Sequence, residues 1–237
     1  MVIVTTLYNA EQYIERCIGS LMGQEFTDFK CYITDDMSTD NSVNIVKNTI
    51  KNDSRFILIE NQTKFYQSGN YDQVIRNNPD ILDDEPIIEL DGDDWLPDSK
   101  TLTRMNEIYL DKDVWITNGS FVYSDGRKGF SRKQENIDNI RNVDFTASHM
   151  RTWRAFLWRK IKVEDLKDDD GLYWKVAGDL AFLYPMLEMS GDKHYKFIDT
   201  INYVYNEENP INDHKIYQPI VQLICDKIRK KEKYVIL

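Results

Sequence analysis

Pro86-Ile87-Ile88-Glu89-Leu90-Asp91-Gly92-Asp93-Asp94-Trp95-Leu96-Pro97-Asp98 sets an apolar run directly against a cluster of carboxylates. Pro86 to Leu90 has the character of a buried strand, so the acids fall where that strand leaves its sheet. Three acids within the four residues from Asp91 to Asp94 repel one another, and a divalent cation that prefers oxygen ligands relieves such crowding. A solvated acidic turn is the plain alternative. The surrounding chain has to decide between them.

Working outward, Val2 to Thr6 predicts a strand, Leu7-Tyr8-Asn9 a turn, and Ala10 to Gln24 a helix. Tyr13, Ile14, Cys17, Ile18, Leu21 and Met22 recur with helical period, and Asn9 is placed to cap that helix with Gln12 three residues on. Phe29 to Thr34 reads as a second strand running into Asp35-Asp36. Asp40-Asn41 then caps a helix with the face Val43, Val46 and Ile50, and Phe56-Ile57-Leu58-Ile59 makes a third strand. This βαβαβ alternation predicts a mostly parallel, doubly wound α/β sheet, whose ligands bind beyond the C-terminal ends of the strands. Tyr8, Asp35-Asp36 and Asp91 to Asp94 all follow strands, so a parallel sheet brings them to one edge. No Gly-rich dinucleotide or P-loop fingerprint follows the first strand, which disfavours dehydrogenases and P-loop enzymes. Downstream, a helix is predicted over Ser99–Leu110, a strand over Val114–Thr117 and a polar surface excursion over Asn118–Asn142, with a hairpin as one form open to it. Helices follow over Arg151–Lys160 and Lys175–Met189, then a strand over Tyr195–Tyr205 and a closing helix over Ile216–Lys230.

The 237 residues carry a formal charge of −10, which argues against nucleic acid as a partner. No apolar run approaches the length of a membrane span, and Met1 leads at once into Val2-Ile3-Val4-Thr5 rather than a signal peptide. A soluble, cytoplasmic protein is expected. The basic stretch Lys227 to Lys233 reads as a solvated helix end, with peripheral contact to an anionic membrane as the lesser alternative. Cys17, Cys31 and Cys225 are odd in number and far apart, which fits neither a disulfide framework nor a zinc site.

The opening Val2-Ile3-Val4-Thr5-Thr6-Leu7-Tyr8-Asn9, the segment Thr34-Asp35-Asp36-Met37-Ser38-Thr39-Asp40 and the run Leu90-Asp91-Gly92-Asp93-Asp94 resemble, in order and spacing, successive signatures of family 2 glycosyltransferases with the GT-A fold. Gly178-Asp179-Leu180-Ala181-Phe182 is a weaker echo of the segment that carries the family's catalytic acid. Met37 is a departure, because the family usually has a small residue there, often Gly. The resemblance implies a Rossmann-like GT-A sheet flanked by helices, with residues 1–117 as the nucleotide-sugar half. Residues 118–237 then form the acceptor-binding and catalytic-base half of the same compact domain.

It also implies roles. Thr6 and Tyr8 hold the nucleotide base, Tyr8 by stacking; Asp36 accepts a hydrogen bond from the base, and Asp35 supports the turn. Asp91 contacts the ribose or orders the loop, and Gly92 lets the backbone approach the ligand. Asp93, or Asp94 beside it, ligates a Mn²⁺ or Mg²⁺ that bridges the diphosphate of a nucleotide sugar. A calcium EF-hand is excluded, because Leu96 stands where its loop needs Gly. Asp179 is the expected general base of an inverting transfer, and it equally suits the start of an apolar helix. His214 is a candidate additional metal ligand, and Arg151 a candidate contact for the diphosphate or acceptor. Glycan, glycolipid or glycoprotein acceptors all fit. A catalytically silent nucleotide-sugar or glycan-binding module is the alternative function, and a sugar nucleotidylyltransferase is disfavoured by the missing Gly-rich N-terminal loop.

Overall fold

The computed structural model describes the backbone of residues 1–237 and every side chain except those of Asp213, His214, Gln218 and Pro219. Strands β1 (Val2–Leu7), β2 (Lys30–Asp35), β3 (Phe56–Glu60) and β4 (Pro86–Glu89) run parallel. Strands β5 (Ile116–Tyr123), β6 (Thr152–Arg154) and β7 (Tyr195–Tyr205) complete one seven-stranded sheet in the order β3-β2-β1-β4-β6-β5-β7. Among the described strands of this sheet, β6 pairs antiparallel with both β4 and β5, while β5 and β7 again run parallel.

Helices cover both faces, and strand periodicity explains how. Side chains alternate across a sheet, so an inner strand flanked on both sides is apolar throughout. Ile3, Ile33, Ile88 and Leu90 pack on one face with α1 (Ile14–Met22), α2 (Ser42–Ile50) and α4 (Thr101–Tyr109). Val2, Val4, Ile87 and Trp153 pack on the other with α3 (Tyr66–Arg76), α5 (Ala155–Lys160) and α6 (Gly178–His194). The centre of that second layer is aromatic: Tyr71 meets Trp153, Trp158 and Phe182 edge-on at centroid distances of 5.7–5.9 Å. Helices α7 (Asp213–Ile216) and α8 (Gln218–Arg229) follow β7. Among the described residues, no helix is long and apolar enough to cross a membrane.

Four local expectations change. Arg151–Lys160 is not one helix: Thr152–Arg154 is drawn into the sheet as β6, and α5 begins only at Ala155. The strand expected over Val114–Thr117 runs from Ile116 to Tyr123, and its continuation pairs back through a Val122–Lys128 bridge, so the polar excursion opens as a hairpin. Helix α3 was not anticipated, because Tyr66-Gln67-Ser68-Gly69-Asn70 lacks apolar periodicity. Asn9 does not cap α1; it sits at φ 48° and its Oδ1 accepts the Thr39 N–H at 2.7 Å, joining the β1 and β2 turns.

Candidate active site

The parallel arrangement delivers the ends of β1, β2 and β4 to one edge. There the backbone N–H of Asp36 donates to the Leu7 carbonyl at 2.7 Å, and that of Gly92 to the Thr6 carbonyl at 2.9 Å. These turns border a cavity of about 880 Å³, lined among others by Thr6, Tyr8, Asp36, Lys64, Asp91, Asp93, Arg151, Asp179, Tyr205 and Tyr217. Gly92 is required by this close approach: a Cβ there would lie 2.9 Å from the Thr6 carbonyl oxygen and 3.2 Å from Leu7 Cδ1. Gly92→Ala is therefore expected to cost about 1–3 kcal/mol of stability through overpacking, read by urea unfolding.

At one end of the cavity Tyr8 is 44% exposed, with Lys64 Nζ 3.0 Å from its ring centroid and 3.9 Å from Asp36 Oδ2. Partial burial draws the Lys64 ammonium down in pKa, against the pull of Asp36 and Asp35. Asp36 accepts the N–H groups of Phe65 (2.8 Å) and Tyr66 (3.1 Å), fixing the start of α3. Asp35 does not line the cavity; it accepts the Ser38 N–H, which supports the turn. Met37, in that turn, has φ 64°, the left-handed region where Gly carries no penalty. Strain of this kind recurs around the cavity, at Tyr66 (φ 54°) and Ala177 (φ 53°).

The three acids after β4 divide. Asp91 accepts the Thr6 hydroxyl at 3.1 Å, and burial with repulsion from Asp93 pushes its pKa up to about 6. Asp93 lines the cavity and accepts Asn209 Nδ2 at 2.7 Å; burial raises it as well. Asp94 points into the protein, where Tyr203 Oη donates to Oδ2 and the Asn206 N–H to Oδ1, both at 2.6 Å. It ties the acidic loop to β7 and the chain after it. Asp91 and Asp93 thus present hard oxygen donors under mutual repulsion, a set that fits Mn²⁺ or Mg²⁺. Glu89, Asp91 and His149 also bring ligand atoms within 4.8 Å of one another. That position, however, already holds the Arg151 guanidinium 2.9 Å from Glu89, so a second cation there would be repelled. The His214 side chain lies outside the described residues.

Asp179 is the first-turn acid of α6, with its Oδ1 accepting the Leu180 N–H at 2.9 Å and its Oδ2 accepting Arg151 Nη2 at 2.9 Å. Arg151 itself is 6% exposed and also donates to Glu89. His149, stacked on Tyr203 at 4.5 Å and Tyr205 at 5.4 Å, is driven toward the neutral imidazole by burial and by Arg151. Lys64, Gln67, Asn70, Glu89 and Asn209 belong to this neighbourhood without having been singled out from sequence. Glu89 did carry a signal, a carboxylate inside an otherwise apolar strand; the others are polar residues in stretches without periodicity.

Residues 2–169 match the family model Glycosyl transferase family 2. The chain is 31% identical over 192 residues to the GalNAc(5)-diNAcBac-PP-undecaprenol beta-1,3-glucosyltransferase of Campylobacter jejuni subsp. jejuni serotype O:2, covering 77% of this chain and 59% of that protein. S. aureus TarS 1-349 in complex with UDP superposes with a TM-score of 0.65 at 17% identity, over 92% of this chain and 62% of that one. The mannosyltransferase PcManGT from Pyrobaculum calidifontis, in complex with GDP-Man and Mn²⁺, gives 0.59 at 16% identity, over 98% of this chain and 65% of that one. The match spans between 26% and 63% of the length of the curated relatives. The solved structures carry the fold, which is GT-A, with the mostly parallel sheet described above. The match over residues 2–169 takes in β1 to β6 and the acidic turns at their edge: the chain belongs to glycosyl transferase family 2.

Proposed function

We propose that this chain is the catalytic part of a metal-dependent, inverting glycosyltransferase that moves a hexosyl or deoxyhexosyl group from a nucleotide sugar to a hydroxyl of a glycan or glycoconjugate. The observation that carries this reading is one cavity bordered by Tyr8 and Asp36, by Asp91 and Asp93, and by Asp179. Residues 1–117 supply the nucleotide-sugar side, and residues 118–237 the acceptor wall and the base. Tyr8 stacks on the base, with Thr6 and Asp36 beside it. Asp93, with Asp91 behind it, holds the metal. Bound Mn²⁺ or Mg²⁺ supplies Lewis-acid stabilisation of the departing diphosphate. Asp179 takes the acceptor's hydroxyl proton as that oxygen attacks the anomeric carbon from the face opposite the leaving group.

The test is nucleoside diphosphate release from a panel of UDP-, GDP- and dTDP-sugars, with and without glycan acceptors and Mn²⁺. Metal-dependent release stimulated by an acceptor is expected. Metal-dependent nucleotide binding with no turnover across the panel would instead favour a silent binding module.

The relative from C. jejuni is named for a polyprenol-linked substrate, and a glycolipid acceptor would bring this chain to a cytoplasmic membrane face. In support, α8 presents Ile220 (40% exposed) and Leu223 (60% exposed) to solvent ahead of the basic residues Lys227, Arg229 and Lys230. Flotation with phosphatidylglycerol-rich vesicles is expected to carry the wild-type chain upward, and Leu223→Glu to reduce that several-fold. Equal flotation of both proteins would contradict the membrane contact.

A further inference from the structure

We propose that Arg151 is a positioning residue: anchored by Glu89 in β4, it holds the carboxylate of Asp179 in the orientation from which Asp179 takes the acceptor's proton. This rests on the proposed glycosyl transfer. Arg151 splits its guanidinium between two carboxylates, with Nη1 donating to Glu89 Oε1 and Nη2 to Asp179 Oδ2, each at 2.9 Å. The anchor is rigid. The Glu89 N–H donates to the Arg151 carbonyl at 3.2 Å, so the two residues are tied by backbone as well as side chain, and Gln67 Nε2 adds a bond to Glu89 Oε1 at 3.1 Å.

Stability gives little reason for such an arrangement. Glu89 is 0% exposed as the last residue of a strand that is otherwise apolar, and a buried ion pair is commonly no better for folding than apolar residues of the same volume. What the arrangement supplies is orientation. The side chain of Asp179 is 28% exposed, at the start of a helix, and a carboxylate held only by the Leu180 N–H could turn about its own bonds. With Oδ1 on that N–H and Oδ2 on Arg151, the plane of the carboxylate is set before an acceptor arrives. Arg151 exchanges no proton. The acceptor hydroxyl loses its proton to Asp179, its oxygen bonds to the anomeric carbon, and the bond from that carbon to the diphosphate breaks. A lysine, with one compact ammonium, reaches both carboxylates less well than the planar fork.

The experiment compares wild type, Arg151→Met, Arg151→Lys and Glu89→Gln. It measures transfer kcat on the donor and acceptor that the wild type turns over, and Kd for UDP and GDP with Mn²⁺. Arg151→Met is expected to lower kcat by about 10²-fold, the scale of an ångström of misplacement, with nucleotide Kd within about threefold of wild type. Arg151→Lys should recover part of the loss, and Glu89→Gln should lower kcat about tenfold with Kd unchanged. Glu89→Gln is nearly isosteric and carries the test should Arg151→Met fail to fold. Full kcat in Arg151→Met or in Glu89→Gln overturns the proposal. A tenfold or greater loss of nucleotide affinity that accounts for the whole effect overturns it too, and makes Arg151 a phosphate ligand. A wild type that transfers nothing overturns the functional reading, and the positioning role with it; transfer by the wild type with an unimpaired Arg151→Met overturns the positioning role alone.

Discussion

Asp179→Asn is expected to lower transfer kcat by about 10²–10⁴-fold, the usual contribution of a positioned general base, while nucleotide affinity stays within about threefold of wild type. The amide keeps the shape of the side chain and can still accept the Leu180 N–H, so α6 keeps its first turn. What it cannot do is accept a proton. An acceptor hydroxyl then attacks without deprotonation, and the loss falls on kcat rather than on donor binding. Steady-state kinetics together with calorimetry of UDP and Mn²⁺ binding check this directly. A variant with wild-type kcat would remove Asp179 from the chemistry and leave it as the acid of a helix start.

Asp93→Ala is expected to act on the other partner in the reaction. Nucleotide binding should lose its dependence on Mn²⁺, and kcat/KM should fall by about 10²–10³-fold, the scale of one electrostatic stabiliser of the leaving group. Stability is expected to move differently. Burial holds Asp91, Asp93 and Asp94 above the usual carboxylate range, and the charge of Asp93 pushes Asp91 and Asp94 further up, so removing it relieves repulsion at both, against the loss of one hydrogen bond from Asn209. A melting temperature kept or raised, beside a large loss of activity, is the signature of a group retained for function. Unfolding of the variant would assign Asp93 a structural role instead. Asp94→Ala should show the reverse pattern, because its oxygens are committed to Tyr203 and Asn206 rather than to the cavity.

The parts of this arrangement that were legible in the sequence are those written in period and position. The βαβαβ alternation placed the residues after β1, β2 and β4 on one edge, and the cavity lies there. Met37 stood out as a departure from a small residue, and its φ of 64° gives the physical reason. Other parts depend on contacts far apart in the chain. Thr152–Arg154 becomes a strand because β4 and β5 offer it backbone partners on both sides; locally, the segment has a helical pattern. Helix α3 is held at its start by Asp36, thirty residues earlier, and its polar first turn has no apolar stripe to reveal it. The division of labour between Asp93 and Asp94 was unreadable for the same reason, since Tyr203 and Asn206, which claim Asp94, arrive with β7 and the chain after it. The pairing of Arg151 with Asp179 joins the residue just before β6 to α6, and no local pattern announces it.

Binding of a metal-complexed nucleoside diphosphate in this cavity is tested most directly by thermal shift. Unfolding of the wild type and of Asp93→Ala is followed with UDP, GDP, dTDP and their sugar conjugates, with and without Mn²⁺. A ligand at one hundred times its Kd stabilises by about 2.7 kcal/mol, a rise in melting temperature that is easily read. The expected result is a rise with one nucleotide series that requires Mn²⁺ and is absent from Asp93→Ala. A wild type that melts at the same temperature with every nucleotide, with and without metal, would contradict it.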